Sequence, residues 1–306
     1  MLPKILVIVG PTASGKSALA IKLAKKFGGE IVSADSRQVY KGLDIGTGKV
    51  TKREMQGIAH HLLDVANPKR VFNVSEYQKL AYKTIDDILK RGKLSVVVGG
   101  TGLFVDSIIK GIVVPEVPPN ASLRNKLAKL SNAQMFKLLK RLDPKRAKAI
   151  DKNNPRRLMR AIEIATALGK VPALKAAPHY SPIVIGIKLT DKQLRKNISI
   201  RLFARIRGGM ISEVKQLHTK GVSWKRLFDL GLEYRYVSLY LQGKLTKAQM
   251  PEELGTAINQ YAKRQWTWFK RDKKIRWLSA AELENWPRLA SLPGLRRRVI
   301  SLGRRS

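Results

Sequence analysis

The chain has 306 residues, 44% of them hydrophobic, enough for one large domain, or a domain carrying an insertion, with a real core. Lys and Arg number 60 against 22 Asp and Glu; the formal charge of +38 points to a polyanion larger than one nucleotide, although a salt-adapted proteome or an anionic lipid surface would produce the same excess. The absence of cysteine excludes disulfides, a thiolate nucleophile, a Cys-based zinc finger and an iron–sulfur cluster, and no stretch approaches the ~18 uninterrupted apolar residues of a membrane span.

In chain order, the apolar run Ile5 to Val9 reads as a buried strand. It begins within a few residues of Met1, leaving no room for a signal peptide, so a soluble cytoplasmic protein is expected. The strand feeds Gly10-Pro11-Thr12-Ala13-Ser14-Gly15-Lys16-Ser17, a match to G-x-x-x-x-G-K-[ST] followed by a helical run through Leu19, Ile21 and Leu23. This is the P-loop familiar from ATP-binding proteins: its N–H groups cradle a di- or triphosphate, Lys16 adds charge, and the Ser17 hydroxyl can ligate Mg²⁺. A second strand, Ile31 to Ser33, delivers Asp35-Ser36-Arg37-Gln38 to the same rim if the sheet is parallel. For Asp35 the residues leave three readings open: Mg²⁺ ligand, helix cap or general base. His60 and His61 lack a third ligand nearby and, as neighbours, point apart, so they read as structural.

Ser75 can cap a helix whose Tyr77, Leu80, Ala81, Ile85, Ile88 and Leu89 share a face, ending near Gly92. The strand Leu94 to Val98 then runs into Gly99-Gly100-Thr101-Gly102, either a tight turn or a loop that lets a ligand approach. The alternation predicts an α/β fold with a doubly wound parallel sheet. The Pro-rich break at Pro115 to Pro119 opens a basic, helix-period stretch from Ser122 to Leu168, and the chain re-enters the core at Ile183 to Leu189 after Pro172, Pro178 and Pro182. The expected organisation is a P-loop core of residues 1–117 and 180–306 with C-terminal helices, and a helical insertion over 118–179. From Asp191 the pattern is helical, with Leu254, Ile258, Tyr261, Gln265 and Trp268 recurring along Pro251 to Phe269; Trp266, Trp268 and Phe269 read as core rather than as base-stacking platforms. The tail from Arg296-Arg297-Arg298 to Arg304-Arg305 is a basic terminus that frays or touches nucleic acid.

Five segments of the first half, Gly10 to Ser17, Asp35 to Tyr40, Asp44-Ile45-Gly46-Thr47-Gly48-Lys49, His60 to Asp64 and Gly99 to Phe104, together with Asn154 to Ala161 and Gln260-Tyr261-Ala262-Lys263-Arg264-Gln265-Trp266-Thr267-Trp268-Phe269, resemble the tRNA dimethylallyltransferase (tRNA isopentenyltransferase) family in its bacterial form. The resemblance spans nearly the whole chain. It implies transfer of a dimethylallyl group from dimethylallyl diphosphate to the exocyclic amine of the adenosine 3′ of the anticodon, with release of diphosphate. The loop Gly10 to Ser17 then holds the leaving diphosphate together with Mg²⁺ and Arg201, and Thr12 sits near the departing oxygen. Asp35 becomes the general base, Thr101 touches the acceptor base, and Ser36, Arg37 and Gln38 hold the flipped nucleotide. Arg124, Arg156, Arg157, Leu158, Met159 and Arg160 match positions that meet the tRNA anticodon stem-loop. A monomer without membrane attachment is expected.

Three departures from the family pattern stand out. Arg201-Leu202-Phe203-Ala204-Arg205 replaces the usual Arg-Val-Asp with a following Met, so that Arg201 is displaced or Arg205 shares its task. Arg156 replaces a glutamine, and Gly231-Leu232-Glu233-Tyr234-Arg235 replaces a Gly-Tyr-Lys form. The rival readings are a prenyltransferase for free adenine nucleotides, a P-loop small-molecule kinase and a non-enzymatic RNA-binding protein; the last leaves Asp35 and Thr101 without a purpose.

Overall fold

In the computed structural model, which describes residues 2–112, 115–173, 176–279 and 282, the β-branched runs form the centre of a six-stranded sheet. The strands are β1 (Lys4–Val9), β2 (Gly29–Ser33), β3 (His60–His61), β4 (Leu94–Gly99), β5 (Ser181–Ile187) and β6 (Arg276–Leu278). Their order is β3-β2-β4-β1-β5-β6, and every pair is parallel. Register is set by pairs such as Leu6 with Val96 and Val7 with Val184.

Parallel strands are covered on both faces, which is why these runs are apolar throughout rather than alternating. Leu6, Ile8, Ile31, Val96 and Val98 point to the side of α1 (Lys16–Lys26), packing on Leu19, Ile21 and Leu23. Ile5, Val7, Val9, Val32 and Val97 point the other way, into a larger core. That core receives α3 (Val74–Lys90) through Tyr77, Ala81, Ile85 and Ile88, and α4 (Gly102–Ile109) through Phe104, Val105 and Ile108. A short helix α2 (Lys52–Met55) precedes β3. The cap of α3 differs from the expectation: Asn73, not Ser75, is the N-cap, accepting the N–H groups of Ser75 and Glu76 while the Glu76 carboxylate accepts the Asn73 N–H. A reciprocal capping box satisfies more end donors than a lone serine inside the first turn can.

The chain divides into two compact units, Met1–Gly111 with Pro178–Ser306, and Ile112–Ala177. The smaller unit contains α5 (Ala121–Leu127), α6 (Asn132–Leu142), α7 (Pro144–Ala149) and α8 (Pro155–Leu168) around its own core of Leu127, Met135, Leu139, Leu158 and Ile162. An antiparallel bridge between Ile112 and Ala176 joins its ends. The larger unit ends in α9 (Asp191–Arg207), α10 (Met210–Thr219), α11 (Trp224–Leu230), α12 (Leu232–Leu241) and α13 (Gln249–Phe269). Phe269 is buried in that core, as read from the sequence; Trp268 is partly buried against it, and Trp266 is partly buried beside Trp277. No helix among the described residues is long and apolar enough to cross a membrane. The arginine-rich tail lies outside the described residues.

Candidate active site

Because all strands run the same way, the loops after β1, β2 and β4 emerge at one edge of the sheet. The first is Gly10 to Ser17. Its sharp turns need Gly15 at φ 87°, with Ala13 also left-handed at φ 61°, and Gly15 caps the start of α1. The Ser14 hydroxyl is buried with no hydrogen-bond partner, a polar atom that an anion in the loop would satisfy. The Lys16 ammonium donates to the Pro11 carbonyl at 3.1 Å. Burial lowers its pKa to about 8; Asp35 opposes this, and Arg201 and Arg205 add to it.

The second loop is a turn, not a helix. Asp35 Oδ1 accepts the backbone N–H of Arg37 at 2.8 Å and of Gln38 at 3.3 Å, so of the three open roles the helix cap is corrected to a turn cap. Asp35 Oδ2 keeps its lone pairs free among the described residues. Gln38 lies against Ser33 and the Gly48 carbonyl, at 3.4 Å from each. The third loop packs on the second: a Cβ at Gly99 would collide with the Ala34 carbonyl, and Thr101 Oγ1 accepts the Ser36 N–H at 3.0 Å. Thr101 also engages the Tyr261 phenol, whose pKa is pushed up to about 12 by burial and then by Asp35.

Two cavities meet here. One, of about 760 Å³, is lined by the phosphate loop, Asp35, Gln38, Leu189, Asn197 and Arg201. The other, of about 440 Å³, is lined by Ser36, Arg37, Thr101, Arg205, Glu233, Tyr261 and Trp268. Thr12, Lys16, Asp35 and Thr47 belong to both walls. A further cavity of about 790 Å³, walled by Leu2, Ile109, Tyr180 and Phe269, touches neither the phosphate loop nor Asp35.

The segment leading into Thr47 is held by one carboxylate. Glu213 accepts the N–H groups of Asp44, Ile45 and Gly46 at 2.9, 2.6 and 3.0 Å, and the Tyr234 hydroxyl at 2.8 Å. Arg201 lines the phosphate-loop cavity, and burial, then Arg205, lowers its pKa to about 10. Arg205 lies beside Arg201 on the same side of Gly48, donating to Glu233 at 2.8 Å and to the Gly46 carbonyl at 3.1 Å. The departures at 205 and 233 are therefore one buried ion pair. Burial raises the Glu233 pKa, Arg205 opposes that, and Asp35 adds to it.

For Mg²⁺ the donor chemistry fits. The Ser17 hydroxyl and Asp35 are hard oxygen donors on one cavity wall, and the ion ordinarily takes one or two such groups plus substrate phosphates. Among the described residues no cluster of three His, Asp or Glu forms a cage. His60 and His61 are spent elsewhere, on the Ile58 carbonyl and on Glu30.

In the smaller unit the sequence-predicted residues separate. Leu158 is corrected: its side chain is fully buried in that unit's core and offers no surface, because α8 turns it inward between Arg157 and Met159. Met159 is partly buried against the same core. Arg124 and Arg160 both bind Glu163, at 2.9 and 2.7 Å, and Arg157 pairs loosely with Asp151 at 3.9 Å. Arg156 is exposed at the start of α8. Tyr261, Gln265, Glu213 and Glu233 were not singled out as site residues; Tyr261 and Gln265 carried a signal in their shared helical face and Glu233 in the departure at Gly231 to Arg235, whereas Glu213 carried none.

The fold and site define a P-loop α/β enzyme in which a phosphate cradle and a carboxylate share one wall between two cavities. A family model described as IPP transferase matches residues 38–272. A tRNA dimethylallyltransferase of Geotalea daltonii is 43% identical over 285 residues, 92% of each chain. Among solved structures, a full-length tRNA isopentenylpyrophosphate transferase from Bacillus halodurans superposes with a TM-score of 0.72 at 32% identity, covering 98% of this chain and 97% of that one. A eukaryotic dimethylallyltransferase acting on tRNA gives 0.77 at 26% identity, over 94% and 77%. The chain belongs to the IPP transferase family and is a transferase.

Proposed function

We propose that the protein transfers a dimethylallyl group from dimethylallyl diphosphate to the exocyclic amine of the adenosine 3′ of a tRNA anticodon, releasing diphosphate. The observation that carries this reading is the junction of the two cavities at Thr12, Lys16, Asp35 and Thr47. A phosphate cradle on one side and a carboxylate facing the other suit a donor and an acceptor that approach from opposite sides. The names of the relatives, which print tRNA and the dimethylallyl group, support this reading.

The diphosphate lies in Gly10, Pro11, Thr12, Ala13, Ser14, Gly15, Lys16 and Ser17, with Arg201 beside it. The allylic C–O bond breaks with its electron pair going to the diphosphate oxygen next to Thr12. Loop N–H groups, Lys16 and Arg201 stabilise the charge that develops there. Mg²⁺, held by Ser17 and the phosphates, would neutralise part of the same charge. The amine nitrogen forms the new C–N bond, and the proton it sheds passes to Asp35 Oδ2, while Oδ1 stays fixed by the turn. A base stacked in RNA cannot reach this junction, so the adenosine is flipped into the smaller cavity against Thr101, Ser36 and Arg37, with Gln38 on the adjoining wall of the larger one. That cavity presents Lys16, Arg37, Arg205, Arg235 and Arg264 against Asp35 and Glu233, which suits a nucleotide flanked by phosphodiesters better than free AMP. The basic 112–177 unit contributes Arg156 and Arg157 to RNA phosphates. The working unit is a cytoplasmic monomer.

Incubation with labelled dimethylallyl diphosphate, Mg²⁺ and either unmodified tRNA or AMP tests the reading. Label is expected in tRNA. Label in AMP alone, or in neither, refutes it.

A further inference from the structure

We propose that Gln265 is a positioning residue for the transfer, fixing the phosphate loop against the acceptor loops through its amide. The inference rests on the transfer reading above for its chemistry, and on the geometry of α13 for its structure. Gln265 is 6% exposed and lies 253 residues from one partner and 165 from the other. Its Oε1 accepts the Thr12 N–H at 2.8 Å, and its Nε2 donates to the Gly100 carbonyl at 2.8 Å. The orientation of the amide is dictated, because a backbone N–H can only donate and a carbonyl can only accept. A Cβ at Gly100 would collide with Nε2, so the fit also requires glycine on the far side.

The two partners are the working loops. Thr12 is shared by both cavities, and Gly100 precedes Thr101, whose hydroxyl accepts the Ser36 N–H and so holds the turn that Asp35 caps. One side chain therefore links the loops after β1 and β4 and, through Thr101, the loop after β2. One turn earlier on the same face of α13, Tyr261 engages Thr101. Carbon and nitrogen must be brought to roughly 3–3.5 Å before they react, and a displacement near 1 Å costs on the order of 100-fold in rate. Gln265 lines the smaller cavity, but its amide oxygen and nitrogen are each engaged by a backbone group, so it acts through the loops. Its loss is expected in turnover, while diphosphate affinity, set by the loop N–H groups and Lys16, stays close to that of the parent protein.

Two variants of the full chain test this. Gln265→Leu removes both hydrogen bonds and is expected to lower single-turnover transfer to tRNA about 100-fold, with inorganic diphosphate affinity by calorimetry preserved. Gln265→Glu keeps the acceptor for Thr12 but sets a carboxylate against the Gly100 carbonyl. It is expected to be as slow as the leucine variant at alkaline pH and to recover as pH falls, since the protonated acid again accepts and donates. The parent and Gln265→Leu share the pH dependence that Lys16 imposes but lack this additional recovery. Leucine-variant turnover equal to the parent's, diphosphate affinity falling as far as turnover, or a glutamate variant with the parent's pH profile each overturns the inference. Amide hydrogen exchange provides a readout independent of activity: Thr12 is expected to exchange faster in Gln265→Leu, and unchanged protection overturns the inference. A parent protein that transfers nothing to tRNA refutes the proposed function alone, leaving Gln265 to be judged by exchange.

Discussion

Raising the pH should strip the phosphate loop of charge well before ordinary lysines titrate. Lys16 has its pKa lowered from 10.5 to about 8, first by burial and further by Arg201 and Arg205, against the pull of Asp35. With that value ~90% of ligand-free sites carry the ammonium at pH 7 and ~10% at pH 9. If the charged form alone binds, diphosphate affinity falls ~10-fold between those pH values, and binding at pH 8 takes up ~0.5 proton. Calorimetry with inorganic diphosphate in two buffers of different ionisation heat measures the uptake. Lys16→Arg is the reference, because its guanidinium stays protonated and the ligand's own titration is subtracted. Equal uptake by the two proteins refutes the reasoning. Without ligand the native state loses this proton near pH 8 and the unfolded chain near 10.5, so the unfolded chain binds more protons between those limits and stability rises with pH across them. A thermal midpoint that rises no more than that of Lys16→Met over this window would count against the burial cost.

Asp35→Asn preserves the Oδ1 turn cap but not the proton acceptor; label transfer is expected to fall ~10²–10⁴-fold with RNA affinity retained, and normal turnover would exclude Asp35 as the base. Glu163 is buried, which alone would raise its pKa, yet hydrogen bonds from Arg124, the Asn120 N–H and Arg160 bring it down to about 2. Its stabilising contribution is therefore present above the ordinary pKa of 4.5 and lost as pH falls from there towards 2. Glu163→Gln should destabilise the protein by roughly 1–3 kcal/mol in urea titrations at pH 7, since the arginines it leaves are partly exposed, and remove that acid dependence. The logarithm of RNA affinity should fall linearly with log salt; Arg157→Ala should reduce the slope by about 0.7–0.9 if one phosphate contact is lost, and an unchanged slope would take Arg157 off the RNA surface.

The phosphate loop, the four long strands and α3 are legible in the sequence because each is written locally: a glycine pattern, a β-branched run, a helical face. The two short strands are not, since His60–His61 and Arg276–Leu278 have too few residues for periodicity and exist through pairing with β2 and β5. Asp35, Thr101 and Lys16 could be named from loops near the strand ends, but not their supports. Gln265 reads as one more position on a helical face, and its bonds to Thr12 and Gly100 exist only after the chain has folded back on itself. Leu158 shows the opposite failure. Beside two arginines it looked like part of a binding run, while the helical turn sends it into the core. Arg205 and Glu233, unusual separately, make sense as a pair that no local pattern announces.

Glu213 gives the segment leading into Thr47 a thermodynamic character of its own. Three consecutive N–H groups are filled by a carboxylate from the same chain, with Tyr234 bracing it. The segment from Asp44 to Gly46 is thus ordered by folding rather than by substrate, and its loss of conformational freedom does not recur with each encounter. Binding beside Thr47 should accordingly carry little entropy penalty from this segment, leaving the contacts that the ligand makes to set the heat of association.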